Sequence, residues 1–242
     1  MHFRIAAALL CACVSGHAAA QSVWTTQYEA KPSSEAIGSQ YLADLDEAGT
    51  AARQGDLVKG RQGFERIAGY CRGFARPGLR IVATQTVAQY DAFVEQHPSE
   101  DPTERIDMAC PEAFKSLAFI DIEEKRPLGE ALAHLEEAIA IAPEWPEAYT
   151  ERGFVLGMLG RLPDALGSYQ RAIDLSEAQD APPSMKAIAY RGRGWVQVEQ
   201  KDWDGARRSY HRSLELMPGH EQTLAELGYI DEHAPKAKAN DH

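Results

Sequence analysis

Long apolar runs are scarce in this chain of 242 residues. The run near the N-terminus, Ile5–Val14, is too short to span a bilayer. No other segment approaches the ~20 apolar residues that a membrane-spanning helix needs. We therefore predict no transmembrane segment.

Basic charge is also in short supply. Lys and Arg together number 25 against 36 Asp and Glu, which gives a net charge of −11. A nucleic-acid-binding domain needs a basic patch that faces the phosphates. The composition therefore argues against nucleic acid as a partner and favours neutral or basic partners.

Patterns for catalysis or cofactor binding are missing as well. The histidines after residue 20 are scattered, with no second His or Cys at metal-ligand spacing. No Gly-x-Ser-x-Gly sequence occurs that would present an activated serine. Gly192-Arg193-Gly194 falls inside a helical pattern, and Glu123 and Glu124 are adjacent, so they point to different sides of a helix. We predict a non-enzymatic protein with no catalytic residues, no cofactor and no metal.

The N-terminal segment has the pattern of a secretory signal. Arg4 supplies the positive charge, Ile5–Val14 the apolar core and Ala18-Ala19-Ala20 a small-residue cleavage site. We predict a signal peptide over residues 1–20 and a periplasmic location. The alternative, a lipid anchor at Cys13, fits its motif poorly because another cysteine lies two residues before it.

Removal of that signal would leave two cysteines, Cys71 and Cys110. An even number in an oxidising compartment predicts one structural disulfide. A redox-active pair is the alternative, but the two lack Cys-x-x-Cys spacing and have no obvious cationic neighbour beyond Arg72. The segment between them, residues 72–110, predicts a strand–helix–strand insertion from three successive patterns, Leu79–Thr84, Ala88–His97 and Arg105–Ala109.

A 34-residue repeat dominates the C-terminal half. Ala148–Leu175 aligns with Ala189–Leu216 at a shift of 41, whereas Leu128 aligns with Leu162 at a shift of 34. The seven extra residues fall in a polar stretch around residues 176–183. Self-similarity at a fixed period of this length predicts stacked helical pairs.

The residues of this repeat resemble the tetratricopeptide repeat family, in particular its secreted bacterial members. A repeat of that family has, in order, a large residue, a small residue, alanine, an aromatic residue, a small residue and proline. The first copy here has the first five of these: Tyr149, Gly153, Ala165, Tyr169 and Ala172. The second copy has all six: Tyr190, Gly194, Ala206, Tyr210, Ser213 and Pro218. The resemblance implies a mainly all-α fold, a right-handed helical-hairpin solenoid with a small α/β insertion.

A weaker copy of the repeat is predicted over residues 41–71, with Gly60 at the alanine position and Phe64 at the aromatic one. If the repeats stack without interruption, the end of this copy lies close to the start of the main repeats. A disulfide between Cys71 and Cys110 would therefore join the two ends of the insertion. The predicted order is a signal peptide 1–20, a flexible leader 21–34, an N-terminal helical pair 35–71, an insertion 72–110, a solenoid 111–233 with a C-terminal capping helix, and a tail 234–242.

In this family the first helix of each repeat lines the concave side. Seven residues predicted on that side form a candidate partner-binding surface: Ile120, Phe154, Met158, Arg191, Trp195, Val198 and Tyr229. The alternative is that the chain's own insertion or N-terminal helix fills the groove. Arg152 and Arg193 are equivalent residues of two repeats. We predict that they pack against other helices rather than bind a ligand.

The resemblance implies interaction or scaffolding without naming a partner. We predict a periplasmic scaffold or adaptor that binds a partner protein or peptide in its concave groove. Two alternatives stay open: a small-ligand or catalytic module in residues 72–109 supported by the repeats, and a subunit of an envelope assembly complex. The sequence leaves the oligomeric state open.

Overall fold

The computed structural model describes residues 37–235. These residues form ten α-helices and two short strands, in chain order α1 Leu42–Arg53, α2 Leu57–Arg72, β1 Arg80–Ala83, α3 Val87–Gln96, β2 Thr103–Ile106, α4 Ala109–Glu123, α5 Leu128–Ile141, α6 Pro146–Met158, α7 Leu162–Ala178, α8 Pro183–Glu199, α9 Trp203–Leu216 and α10 Glu221–His233. The predicted signal peptide, the leader and residues 236–242 of the predicted tail lie outside the described residues. Of the helices within residues 37–235, none is long and apolar enough to cross a membrane.

Helices α4 to α9 form three consecutive pairs, α4–α5, α6–α7 and α8–α9, and α10 packs against α9 at the C-terminal end. Short loops join the two helices of each pair, which places them side by side and antiparallel. Successive pairs also pack on one another, α5 against α6 and α7 against α8. The predicted helical-hairpin solenoid of tetratricopeptide type is therefore confirmed.

The repeated glycine and tyrosine residues make the same contact in two pairs. Tyr169 of α7 packs on Gly153 of α6, where an added Cβ would lie 3.0 Å from the ring. Tyr210 of α9 packs on Gly194 of α8 in the same way, at 2.9 Å. Because any side chain at either glycine would push the paired helices apart, the glycine and tyrosine of each repeat depend on each other.

The recurring arginines make matched contacts within their pairs. Nε of Arg152 donates to Oγ of Ser168, and Nε of Arg193 donates to Oγ of Ser209, both at 3.0 Å. Each guanidinium also lies over the tyrosine three residues earlier, at 5.1 and 4.9 Å from the ring centroid. Both arginines therefore hold their own helical pairs together.

The seven extra residues between the second and third pairs lengthen two helices. Helix α7 has 17 residues where α5 and α9 have 14, and α8 has 17 where α6 has 13. The turn that remains contains Asp180 at φ 49°. In the polar stretch 176–183, the first three residues therefore end α7, residues 179–182 form the turn, and Pro183 begins α8.

The weak N-terminal copy is a helical pair, α1–α2. A Cβ added to Gly60 would lie 2.9 Å from the Cβ of Ala52, and one added to Gly63 would lie 2.5 Å from the Cβ of Ala48. Phe64 is buried beside them. The two helices approach closely because glycine and alanine face each other along the whole contact.

The insertion between α2 and α4 is a strand–helix–strand unit. Strands β1 and β2 pair in parallel, with Arg80 opposite Thr103 and α3 between them in the chain. The predicted second strand, Arg105–Ala109, was wrong at both ends, because Asp107 turns the chain into α4. Its Oδ1 accepts a hydrogen bond from the Ala109 N–H at 2.9 Å, so the helix begins where the strand was expected to end.

The N-terminal pair is fixed to the solenoid at two points. Cys71 at the end of α2 forms a disulfide with Cys110 at the start of α4, with their Cα atoms 5.7 Å apart. Farther along the same helices, Arg61 of α2 donates to Asp121 of α4 at 2.7 Å, and Asp121 is 1 % exposed. Helix α2 thus lies against α4, and the insertion leaves and returns at the disulfide, as predicted.

Candidate partner-binding face

The first helices of the successive pairs, α4, α6 and α8, together with α10, form one side of the solenoid, here called the inner face. The predicted apolar row has one residue on each of these helices: Ile120, Phe154, Trp195 and Tyr229. The structure divides this row into a buried end, an aromatic centre and a separate C-terminal end.

The prediction for Ile120 was wrong, because its side chain is 0 % exposed. Ile120 belongs to the core cluster that contains Phe64 and Ile67 of α2. Since α2 packs against α4, it covers the frame position that is open in the later repeats. Ile120 therefore stabilises the fold and is not part of the candidate binding surface.

Phe154 and Trp195 form the centre of the row. Their ring centroids are 5.9 Å apart with the ring planes at 44°, and both side chains are partly exposed. Met158, one helical turn after Phe154, is 44 % exposed. The three residues make a small apolar patch across α6 and α8, here called the aromatic patch.

Trp195 is held in place by its neighbour helix. Its ring lies over Gly157 of α6, where an added Cβ would be 2.4 Å from Cζ3. The indole Nε1 is buried and donates to no acceptor within the described part of the chain. Trp195 is therefore a rigid anchor with one unused hydrogen-bond donor.

The remaining predicted residues contact other groups. Arg191 donates to Oγ of Ser213 at 3.3 Å, so its charge supports the third pair. Val198 is partly buried and packs on the core cluster of Tyr210 and Ile230. The ring of Tyr229 stacks on that of His233, with centroids 4.0 Å apart.

A cluster of charged residues, here called the glutamate cluster, lies on α4 and α6: Glu112, Lys115, Glu147 and Glu151. Nζ of Lys115 pairs with Glu112 at 2.8 Å and lies 4.7 Å from the centroid of the Trp145 ring. Lys115 is only 8 % exposed, so this ion pair is largely removed from water. Three carboxylates thus share one ammonium group.

Glu147 is the unsatisfied member of the glutamate cluster. Its Oε1 is buried and accepts no hydrogen bond from any residue that the structure describes. Burial raises the pKa of Glu147 to about 7, although the positive charge of Lys115 opposes the change. Burial likewise raises the pKa of Glu151. Carboxylates held in this way favour a proton or a bound cation.

The sequence pattern by itself indicates no role for Glu147 and Glu151. The available signal was their spacing of four on one helix, which puts them on the same face. Their burial depends on the packing of α4 beside α6, and nothing in the local sequence reports that contact.

A shallow open groove of about 560 Å³ lies between the insertion and α5. Its lining is mostly apolar, with Leu79, Ile81 and Ile141 beside Arg76 and Arg80. Arg80 already donates to Thr103 and to the His97 carbonyl. Within residues 37–235, no group of three or more His, Cys, Asp or Glu residues is placed to hold a metal ion.

The fold and the repeated packing residues define a helical-repeat protein, a solenoid of stacked helical pairs. Residues 146–218 match the tetratricopeptide repeat family model. This stretch spans α6 to α9, the two pairs in which the glycine–tyrosine and arginine–serine contacts recur.

Two curated relatives show the same likeness over part of the chain. Hsp70-Hsp90 organizing protein 2 of Arabidopsis thaliana is 32 % identical over 102 residues, which cover 42 % of this chain and 16 % of the relative. Hsp70-Hsp90 organizing protein 3 of the same plant is 30 % identical over 148 residues, which cover 61 % and 24 %. The chain therefore spans less than a quarter of each relative's length.

Among solved structures, the crystal structure of MamA protein has a similar fold. It matches with a TM-score of 0.52 and 16 % sequence identity, over 81 % of this chain and 83 % of that one. At this identity the match supports the solenoid architecture, which extends over most of the chain.

Proposed function

We propose that this protein is a non-enzymatic, secreted bacterial scaffold that binds a segment of a partner protein on its inner face. The observation that carries the proposal is the aromatic patch, where the partly exposed rings of Phe154 and Trp195 lie close together on adjacent helices and Met158 is exposed one turn after Phe154. Water-exposed apolar groups of this kind gain free energy when a partner covers them. Rigid aromatic anchors are also frequent at the centres of protein interfaces.

An extended or helical peptide on the inner face would cover the aromatic patch with its side chains. The two curated relatives are named for organising Hsp70 and Hsp90, which is consistent with scaffolding by this kind of repeat.

An envelope pull-down tests the proposal. The bait is the full chain, compared with a Phe154→Ser/Met158→Ser variant that leaves Trp195 packed on Gly157. We expect the variant to lose at least one partner that the wild type enriches. Val58 on α2 is 66 % exposed, so Val58→Ser serves as the control for general loss of surface apolarity. Equal recovery of every partner by all three baits would contradict the proposal.

We further propose that the protein acts in the periplasm. Support comes from the secretory pattern of residues 1–20 and from the disulfide between Cys71 and Cys110. Fractionation of producing cells is expected to place a shortened, disulfide-bonded chain in the periplasmic fraction. A full-length chain with two free thiols in the cytoplasm would contradict this location.

A further inference from the structure

The glutamate cluster carries more negative charge than its own residues can neutralise. Glu112 already forms an ion pair with the ammonium group of Lys115, at 2.8 Å. Glu147 and Glu151 follow one turn apart on α6, and each is close enough to Lys115 and Glu112 to interact electrostatically. When all three carboxylates are ionised, the cluster lacks positive charge in a site that is shielded from water.

The missing group must also be a hydrogen-bond donor. Oε1 of Glu147 is buried without a donor among the described residues, whereas part of the Glu147 side chain stays open to the inner face. Because Glu112, Glu147 and Glu151 are not grouped closely enough to hold a metal ion, a compact divalent cation does not match their arrangement. A long side chain that ends in a charged donor does.

Resting on the proposed function, we propose that the segment bound on the inner face places a lysine or arginine side chain at Glu147 and Glu151. Such a residue would supply the positive charge that the glutamate cluster lacks, and it would reach the partly exposed side chains of Glu147 and Glu151 from the inner face. The chain's net charge of −11 would favour the approach of a basic segment and make its binding sensitive to salt.

A selection from short random peptides displayed on phage tests this preference. The baits are the wild-type chain, Glu147→Gln, and Glu136→Gln as the matched control. Glu136 lies exposed on α5, the second helix of its pair, so its substitution removes the same charge away from the inner face. We expect the wild type and Glu136→Gln to enrich peptides with Lys or Arg at one fixed position, and Glu147→Gln to lose that enrichment.

The best synthetic peptide then gives a quantitative test by fluorescence anisotropy. We expect Glu147→Gln to weaken binding by about tenfold or more. Replacing the basic peptide residue by norleucine should weaken binding to a similar extent. The two changes together should cost little more than either alone, because both remove the same contact.

The outcomes separate the inference from the function on which it rests. Peptides enriched without a basic residue, or a basic preference that persists in Glu147→Gln, would overturn the inference and leave peptide binding intact. No enrichment over a bait-free control would contradict both. Equal losses in Glu147→Gln and Glu136→Gln would reduce the preference to a nonspecific effect of net charge and would also overturn the inference.

Discussion

At the scale of single residues, Glu147 is in an environment that disfavours its charge. A carboxylate shielded from water needs donors or a countercharge, and the nearby ammonium group of Lys115 already pairs with Glu112. The result is a pKa raised to about 7. Proteins retain such costly groups most often where they serve binding or chemistry.

The stability of the protein should therefore depend on pH through Glu147. Its pKa rises from 4.5 to about 7 on folding, so the folded state binds this proton more tightly than the unfolded state does. The contribution to stability is complete below pH 4.5 and is lost as the pH rises through 7. We expect Glu147→Gln to match the wild type at pH 4 and to exceed its unfolding free energy by about 3 kcal/mol at pH 8.

Urea unfolding at the two pH values measures this difference, with Glu136→Gln as the control of equal charge. The comparison of variants isolates Glu147 from the other carboxylates, which titrate equally in both proteins. Parallel pH dependence in the wild type and Glu147→Gln would refute the prediction.

At the scale of helices, the spacing between pairs depends on one tyrosine. Tyr169 of α7 fills the space over Gly153 of its own pair and also contacts α8 of the next pair. An added Cβ at Gly192 of α8 would lie 2.1 Å from Cε1 of its ring. Tyr169 is 2 % exposed, so its ring has no space into which to move.

Alanine at two helical glycines should therefore have opposite effects. Gly192→Ala places its methyl group against Tyr169 and is expected to lower the unfolding free energy by about 1–3 kcal/mol. Gly167→Ala, in an exposed position of α7 with nothing within 4 Å of the new Cβ, should raise it by about 0.5–1 kcal/mol. Denaturant unfolding of both variants measures whether the steric clash or the higher helix propensity of alanine dominates the unfolding free energy. A Gly192→Ala variant more stable than the wild type would contradict the packing of Tyr169 on α8.

At the scale of the whole molecule, the N-terminal pair and the solenoid form one core. Helix α2 supplies Phe64 and Ile67 to the cluster that buries Ile120. The ion pair between Arg61 and Asp121 and the disulfide hold α2 against α4 at separate points. This packing closes one end of the inner face, and it leaves the aromatic patch on α6 and α8 as the accessible part.

The disulfide should make a measurable contribution to this arrangement. Cys71 and Cys110 are 39 residues apart in the chain, and opening a loop of that size costs about 4 kcal/mol on the chain-entropy model. We expect Cys71→Ala/Cys110→Ala to lose stability of this order in urea unfolding. Reduction of the wild type should produce a similar loss.

Intact-mass measurement provides the direct control. The untreated protein should weigh two hydrogen atoms less than the reduced form, and thiol reagents should label neither cysteine after denaturation. Labelling of both cysteines in the untreated protein would show that they are not joined.

The helical pairs could be predicted from the spacing of residues in the chain. Repeated spacing places Gly153 and Tyr169, and again Gly194 and Tyr210, where paired helices must meet, and this contact forms between neighbours in the chain. The aromatic patch could be predicted for the same reason, since Phe154 and Trp195 share one frame position.

Which of the equivalent repeat positions stay exposed could not be predicted, because it depends on contacts between helices that are distant in the chain. Ile120 occupies the same position as Phe154, but it is buried because α2, distant in sequence, packs on α4. The raised pKa of Glu147 likewise depends on burial between α4 and α6 and on the single ammonium group of Lys115. Desolvation and charge sharing depend on contacts between elements, and the local pattern of a helix does not report which neighbour will cover it.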